Sequence, residues 1–247
     1  MPTDTEELVS RLRNARTIVV LTGSGVSAAS GIPTFRGDDG LWRTFRAEEL
    51  ATPEAFAHDP KTVWEWYDWR RTKIAASQPN AAHTVLAKWS QRPGFTLITQ
   101  NVDGLHERAG TANVIRFHGS IWELRCAAEC GAAPWEDHTA PMASLPPTCP
   151  SCGGIARPGV VWFGENIDPE ILERSSAAAA AADVYLSIGT SSLVFPAAGL
   201  LHHAKRNGAF TVEVNPGATD VSRIVDLPIA APAEDALAML DARVRMG

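Results

Sequence analysis

Residues 16–42 read RTIVVLTGSGVSAASGIPTFRGDDGLW, a β-branched run followed at once by a glycine-rich turn. The apolar run predicts a buried strand. Gly23, Gly25 and Ala28 match G-x-G-x-x-G/A, the pattern of a turn that brings the backbone close to a pyrophosphate at a helix N-terminus. Glycine-rich turns after strands are common, so this pattern alone is weak evidence for nucleotide binding.

Three later segments also predict buried strands: FTLIT (95–99), ADVYLSIGT (182–190) and AFTVEVNP (209–216). Helical patterns alternate with them: TEELVSRLRNA (5–15), PNAAHTVLAKWSQ (79–91), PEILERSSAAAAAA (169–182) and PAAGLLHHAKRNG (196–208). Strands that alternate with helices predict an α/β protein with a parallel sheet covered on both faces.

The segment after the glycine turn does not fit a conventional dehydrogenase. Such an enzyme continues through a helix into a second strand that ends in an acidic residue about 20 positions on. Here Pro33, a GDDGLW turn and a tryptophan-rich stretch follow, and no second strand is predicted before residue 95. The sequence therefore favours a nucleotide site without the hydride-transfer architecture.

Composition and charge exclude several classes of protein. The 247 residues carry 22 basic and 28 acidic side chains, a net charge of −6, and no long basic run, so nucleic acid is a poor candidate partner. The N-terminal MPTDTEELVS lacks the features of a secretory signal, and no apolar run approaches the ~20 residues that cross a bilayer. We expect a cytoplasmic protein without a membrane partner; its oligomeric state is not predicted.

Four cysteines form two closely spaced pairs, Cys126 with Cys130 and Cys149 with Cys152. Each pair lies in a predicted tight turn, and this double-pair spacing is typical of a tetrahedral zinc site. Four thiolates leave no open coordination position for water, which favours a structural ion over a catalytic one. The alternative is four unrelated free thiols.

A tryptophan-rich helix is predicted around WEWYDWRR (64–71). At 100° per residue, one face of about a third of the circumference holds Val63, Trp66, Tyr67, Arg70 and Ile74. An arginine in the middle of an apolar face has two interpretations. Its side chain snorkels to water, or it meets a ligand.

The order of several motifs resembles that of the sirtuins, the NAD-dependent protein lysine deacylases. These motifs are GSGVSAASGIPTFRG, TQNVDGLHERAG, FHGS, the cysteine pairs, PGVVWFGE, GTSSLVFPA and VNP. The resemblance implies a Rossmann-like NAD-binding domain made of residues 1–34, 79–122 and 158–247. It also implies a smaller domain that joins a helical module (35–78) to a zinc-binding module (123–157).

By this resemblance, the acyl oxygen of a modified lysine attacks the nicotinamide ribose of NAD, and the products are nicotinamide, O-acyl-ADP-ribose and free lysine. His118 is the expected base, since a histidine is largely neutral at pH 7, and Asn101 and Asp103 hold the nicotinamide end of NAD. His106 is interpreted as structural. The expected NAD contacts are Gly23, Ser24, Gly25, Ser27, Thr34, Phe35, Arg36, Trp42, Gln100, Asn101, Val102, Asp103, Gly189, Thr190, Ser191, Asn215, Pro216, Gly217 and Ala233.

The resemblance also implies a function for the tryptophan-rich helix. In the class III branch, a Tyr and an Arg at the spacing of Tyr67 and Arg70 bind the carboxylate of succinyl-, malonyl- or glutaryl-lysine, and Thr34 is typical of the same branch. We expect a desuccinylase and demalonylase with weaker deacetylation. The peptide itself is expected to pair with a strand-like segment made of Val161, Trp162, Phe163, Gly164 and Glu165.

Three other functions remain open from the sequence. The first is that the chain is predominantly a deacetylase. The second is that it transfers ADP-ribose to protein with the same NAD and cleft. A non-enzymatic zinc-ribbon interaction module is the third, and the intact His118, Asn101 and Asp103 speak against it.

Overall fold

The computed structural model describes residues 2–34 and 47–245 of the chain. The expected NAD contacts Phe35, Arg36 and Trp42 lie outside the described residues.

Two sheets are present in the described ranges. The main sheet consists of β1 (Ile18–Thr22), β2 (Phe95–Thr99), β3 (Val114–Arg116), β7 (Val184–Ile188), β8 (Phe210–Val214) and β9 (Leu227–Ile229). The smaller sheet consists of β4 (Gly119–Cys126), β5 (Trp135–Glu136) and β6 (Ala156–Val160). The helices are α1 (Pro2–Asn14), α2 (Ala47–Leu50), α3 (Pro53–His58), α4 (Pro60–Ala76), α5 (Ala81–Trp89), α6 (Leu105–Arg108), α7 (Pro169–Ala180), α8 (Ala197–Arg206) and α9 (Ala233–Arg245).

The main sheet is parallel throughout, with strand order β3-β2-β1-β7-β8-β9. This is the order of a doubly wound nucleotide-binding sheet, so the predicted Rossmann-like α/β fold is confirmed. Thr22 pairs with Thr99 of β2 and with Ile188 of β7, so the central strands end at the same level. All five residues of β1 are buried, because helices cover both faces of the sheet.

The apolar run 114–117, which predicts a strand leading into the loop of His118, is confirmed by β3. The sequence did not predict the short strand β9 or the antiparallel order β5-β4-β6 of the smaller sheet. The glycine turn also differs from expectation, because it opens a 3₁₀ helix, Ser24–Ser30, rather than an α-helix. The N–H of Gly25 is bonded to the carbonyl of Gly189 at 2.8 Å, outside the helix. This contact holds the turn against β7.

The predicted apolar face of α4 is confirmed, since Val63, Trp66, Tyr67, Arg70 and Ile74 are all buried. The interpretation that Arg70 snorkels to water is wrong, because only 8% of this residue is exposed.

A second arginine of the same helix, Arg71, is completely buried and lies outside the predicted stripe. It donates to the carbonyls of Ile121 (3.2 Å) and Thr139 (3.0 Å) and to Asp137 Oδ1 (2.7 Å). Arg71 therefore joins α4 to the small sheet and to the loop that follows β5.

The contact between α5 and α9 depends on one buried carboxylate, Asp241. It accepts hydrogen bonds from Lys88 Nζ at 2.7 Å and Trp89 Nε1 at 3.0 Å, and it also contacts Arg245. Burial raises the pKa of Asp241, but the bonds from Arg245, Lys88 and Trp89 outweigh this and bring it down to about 2. The folded state therefore binds its proton less readily than the unfolded chain does.

Asp241→Asn should lower the free energy of unfolding by about 2 kcal/mol at pH 7. The stabilisation is present above the unfolded pKa of about 3.9 and is lost as the pH falls toward 2. Urea unfolding midpoints measured from pH 7 downward should converge for the two proteins at acidic pH. The matched control is Glu173→Gln on the exposed side of α7, which should shift no midpoint; a pH-independent difference for Asp241→Asn would contradict the account.

Candidate functional site

Three glycines bring the ends of β1 and β7 into backbone contact. A Cβ on Gly23 would lie 2.8 Å from the carbonyl oxygen of Gly189, and one on Gly25 would lie 2.8 Å from its Cα. Gly189 itself has φ +61°, and a Cβ there would lie 2.5 Å from the nitrogen of Val26. No side chain fits between these turns, which pack closely together as a backbone cradle at the edge of the sheet. Such a cradle fits the diphosphate of a dinucleotide.

Polar side chains leave the neighbouring strand ends and bond to this cradle. Asn101 donates from Nδ2 to the carbonyl of Gly23 at 3.1 Å. Gln100 donates from Nε2 to Thr190 Oγ1 at 3.0 Å, and Asn215 donates to the Thr190 carbonyl at 3.5 Å. Residues that follow β2, β7 and β8 thus meet at one edge, as expected for a parallel sheet.

Asp103 is buried beside the cradle. Its carboxylate accepts from Ser27 Oγ at 2.8 Å and from the N–H of Leu105 at 2.9 Å. Burial raises the pKa of Asp103, while these two hydrogen bonds and the charge of Arg70 oppose the rise. The carboxylate is therefore held in a fixed orientation by Ser27 and by the backbone of its own segment.

Two histidines, His83 and His106, are buried near Asp103. His83 Nδ1 accepts from the N–H of Asn80 at 3.2 Å, so Nε2 carries the proton and faces Ser27 Oγ at 3.5 Å. His106 lies 3.0 Å from Thr22 Oγ1, in keeping with its predicted structural role. Burial lowers the pKa of each to about 3, so both are neutral. Sequence reasoning missed His83, whose only signal was its position on the apolar face of a helix.

His118 follows the end of β3 and lies at the same edge of the main sheet. Its Nδ1 is 3.1 Å from the carbonyl oxygen of Gln100. A carbonyl only accepts, so Nδ1 carries the hydrogen and Nε2 keeps its lone pair. Burial lowers the pKa of His118, although the Gln100 carbonyl partly offsets this. The imidazole is therefore neutral at pH 7 and able to take a proton.

A cavity of about 1400 Å³, called here the main cavity, runs along this edge and on to α4. Most of the predicted residues line it: Gly23, Ser24, Gly25, Thr34, Tyr67, Arg70, Gln100, Asn101, Val102, His118, Val161, Trp162, Phe163, Gly164, Glu165, Gly189, Thr190, Ser191, Asn215, Pro216 and Gly217. Ser27 and Asp103 line a smaller side pocket next to it, which Arg70 and Asn101 also line. Ala233 instead lies in the core, and its neighbours Pro232 and Glu234 reach the cavity. Sequence reasoning also missed the lining residues Phe195 and Thr219.

The α4 end of the main cavity is aromatic and includes the buried cation of Arg70. The Arg70 guanidinium lies 4.8 Å from the centre of the Trp66 ring and 5.6 Å from that of Tyr67. The Tyr67 hydroxyl accepts a hydrogen bond from Trp162 Nε1 at 2.9 Å. Burial raises the pKa of Tyr67 to about 12, against the opposing charge of Arg70, so the phenol is neutral at pH 7.

The segment 161–165 is a loop with a turn, not the strand-like segment that the sequence suggested. The N–H groups of Val161 and Phe163 are bonded to the carbonyls of His118 (3.0 Å) and Ala51 (2.9 Å). The Glu165 carboxylate is bound by both terminal nitrogens of Arg157, at 2.6 and 2.8 Å. These hydrogen bonds to His118, Ala51 and Arg157 hold the loop in an irregular shape.

The four cysteines converge, with all sulfur atoms within 4.8 Å of one another. Cys126 and Cys152 are 3.5 Å apart and Cys130 and Cys149 are 3.8 Å apart, far beyond the disulfide length of about 2.05 Å. Zn–S bonds of about 2.3 Å in a tetrahedron place sulfurs about 3.8 Å apart. The cluster therefore fits a structural zinc ion, and the alternative of unrelated thiols is wrong.

Comparisons with known proteins agree with this geometry. The model of the Sir2 family matches residues 23–196. The chain belongs to the Sir2 family. It is 55% identical over 211 residues to a protein of Aquifex aeolicus named NAD-dependent protein deacylase, covering 85% of this chain and 87% of the relative. It is 46% identical to NAD-dependent protein deacylase 1 of Archaeoglobus fulgidus, covering 97% and 98%.

Solved structures of the Sir2 family show the same architecture. A crystal structure described as a Sir2 homolog–NAD complex superposes with a TM-score of 0.92 at 45% identity, covering 98% of this chain and 94% of that one. The predicted membership of the sirtuins is thus confirmed. Among residues 2–34 and 47–245, every helix is too short or too polar to cross a membrane.

Cys149→Ser should reduce bound zinc from about one ion per chain to a small fraction, because three thiolates and a hydroxyl hold zinc more weakly than four thiolates. The melting temperature should fall by at least about 5 °C, since metal binding contributes directly to folding. Metal analysis and thermal unfolding measure the two effects. The control is Ser151→Ala, an exposed position between the second pair of cysteines; full zinc occupancy in Cys149→Ser would contradict the assignment.

Proposed function

We propose that this Sir2 protein is an NAD-dependent protein lysine deacylase that prefers lysines carrying dicarboxylic acyl groups, succinyl and malonyl, over acetyl-lysine. The observation that carries the preference is a buried arginine, Arg70, which lines the same cavity as His118 and lies beside a neutral tyrosine.

The NAD-binding assignment rests on the cradle. Gly23, Gly25 and Gly189 line the main cavity, and the loop of Asn215, Pro216 and Gly217 lines it as well. Bound NAD would supply an electrophilic ribose carbon with nicotinamide as its leaving group. Asn101 and Asp103 are proposed to bind the nicotinamide end, since both are buried at the side pocket with fixed orientations.

His118 is the proposed base. Its hydrogen bond to the Gln100 carbonyl directs Nε2 away from that carbonyl, and burial keeps the ring neutral near pH 7. A neutral imidazole at the mouth of the cradle can take a proton from a ribose hydroxyl, the role of a general base. The same hydrogen bond stabilises the imidazolium that forms.

The acyl preference follows from the cost of burying a charge. The Arg70 guanidinium is buried beside the rings of Trp66 and Tyr67 and lines the main cavity, where an anionic group offsets the cost of burying its charge. A carboxylate at the end of a short acyl chain can bind the planar guanidinium through two parallel hydrogen bonds. An acetyl group offers no such oxygen, so acetyl-lysine should be the poorer substrate.

The loop of Val161–Glu165 is the proposed seat of the peptide backbone. It borders the main cavity, and Phe163 is 42% exposed there. An exposed aromatic side chain next to a deep acyl pocket suits a partner segment that inserts one lysine and lies across the rim.

With NAD and one peptide sequence, kcat/KM should be higher for succinyl- and malonyl-lysine than for acetyl-lysine. Arg70→Met should lower kcat/KM for the succinyl peptide about 100-fold, the effect of losing a charge-assisted bidentate contact, and lower the acetyl value far less. Release of free lysine peptide, measured by chromatography, gives both values.

The matched control for Arg70→Met is Arg206→Met on the exposed end of α8, which should leave both values unchanged. An equal loss of both activities in Arg70→Met would exclude the carboxylate pocket. It would not contradict the proposal that the protein is an NAD-dependent deacylase.

A further inference from the structure

A line of contacts runs from Glu165 through Arg157 and Trp162 to the hydroxyl of Tyr67. We infer that Trp162 and Arg157 are positioning residues for acyl recognition: the indole N–H of Trp162 fixes the direction in which Tyr67 donates its own hydrogen. The inference rests on the proposed function and adds a specificity device to it.

The polarity of the contact between Trp162 and Tyr67 is unambiguous. An indole N–H only donates, so at 2.9 Å the Tyr67 oxygen must accept. The hydroxyl hydrogen of Tyr67 is then free to donate elsewhere. Within the described residues, the Tyr67 hydroxyl makes no hydrogen bond other than the one from Trp162. Since Tyr67 lines the main cavity, its hydrogen is directed at whatever acceptor enters there.

The indole of Trp162 is held from both sides. The Arg157 guanidinium lies 3.6 Å from the centre of the ring, and the Phe56 ring packs at 5.1 Å between centroids. Only 3% of Trp162 is exposed. An indole packed in this way cannot turn its N–H toward another acceptor without displacing the half-buried Arg157 guanidinium or an aromatic ring.

Arg157 is itself fixed by a fork of hydrogen bonds. Its two terminal nitrogens bind separate oxygens of Glu165, and one of them also donates to the Val160 carbonyl at 3.1 Å. Glu165 in turn accepts from the backbone N–H of Trp162 at 2.8 Å. The ion pair of Arg157 and Glu165 therefore contacts both the backbone and the indole ring of Trp162. The shape of the loop and the orientation of the indole thus depend on each other.

The consequence for binding is a preformed donor pair. Tyr67 remains a neutral donor because burial raises its pKa to about 12. With the oxygen already occupied by Trp162, a substrate carboxylate meets one oriented O–H beside the Arg70 guanidinium. A preoriented donor binds more tightly than a free rotor, because less ordering accompanies binding.

Trp162→Phe tests this directly, since it removes the N–H and keeps an aromatic ring. We expect the succinyl-to-acetyl ratio of kcat/KM to fall about five- to tenfold, the effect of one hydrogen bond, with the fall arising from KM of the succinyl peptide. Arg157→Gln should lower the same ratio, and Arg157→Lys, which keeps a cation near the ring, should restore part of it.

The control is Trp89→Phe, which also removes a buried indole hydrogen bond, to Asp241, at a distant contact between helices. It should lower the melting temperature and leave the ratio unchanged.

Two outcomes would overturn the inference, and they are distinguishable. If Arg70→Met abolishes the succinyl preference but Trp162→Phe lowers both activities in equal proportion, the positioning role alone is wrong. If the unaltered protein shows no succinyl preference and Arg70→Met changes nothing, the acyl assignment fails and the positioning role fails with it.

Discussion

The turn after β1 and the end of β7 touch mainly through backbone atoms. Gly25 bonds to the Gly189 carbonyl at 2.8 Å, and a Cβ at Gly23, Gly25 or Gly189 would enter occupied space. This contact sets the level at which the central strands end, and the polar residues after β2, β7 and β8 bond across it. The proposed NAD site is therefore a product of close backbone packing, to which side chains are added.

A second constraint, the burial of cations, shapes the acyl end of the cavity. Arg71 is satisfied by carbonyls and by Asp137, so it joins α4 to the small sheet. One residue earlier, Arg70 lies over aromatic rings and lines the cavity. Two adjacent arginines on one helix thus have different positions, because Arg71 joins two parts of the fold and Arg70 lines the cavity. The carboxylate of a substrate is proposed to bind Arg70.

Local pattern was enough to predict the alternating strands and helices, the cysteine cluster and the buried face of α4, because each of these patterns is formed by residues close in sequence. Contacts between distant segments were not predictable. The 3₁₀ helix begins where the Gly25 N–H donates to the Gly189 carbonyl. No local sequence pattern predicts that hydrogen bond. The bonds of Arg71 and the clamp of Glu165 by Arg157 likewise depend on tertiary proximity. The segment 161–165, which was expected to be strand-like, is a loop held by tertiary hydrogen bonds of the same kind.

The central claim is that a lysine acyl group is removed with stoichiometric consumption of NAD. Incubation of the protein with NAD and a succinyl-lysine peptide, followed by mass spectrometry of all products, tests it most directly. The account predicts one nicotinamide and one O-succinyl-ADP-ribose for each free lysine formed. A peptide that stays succinylated while ADP-ribose becomes attached to protein, or accumulates free, would contradict it.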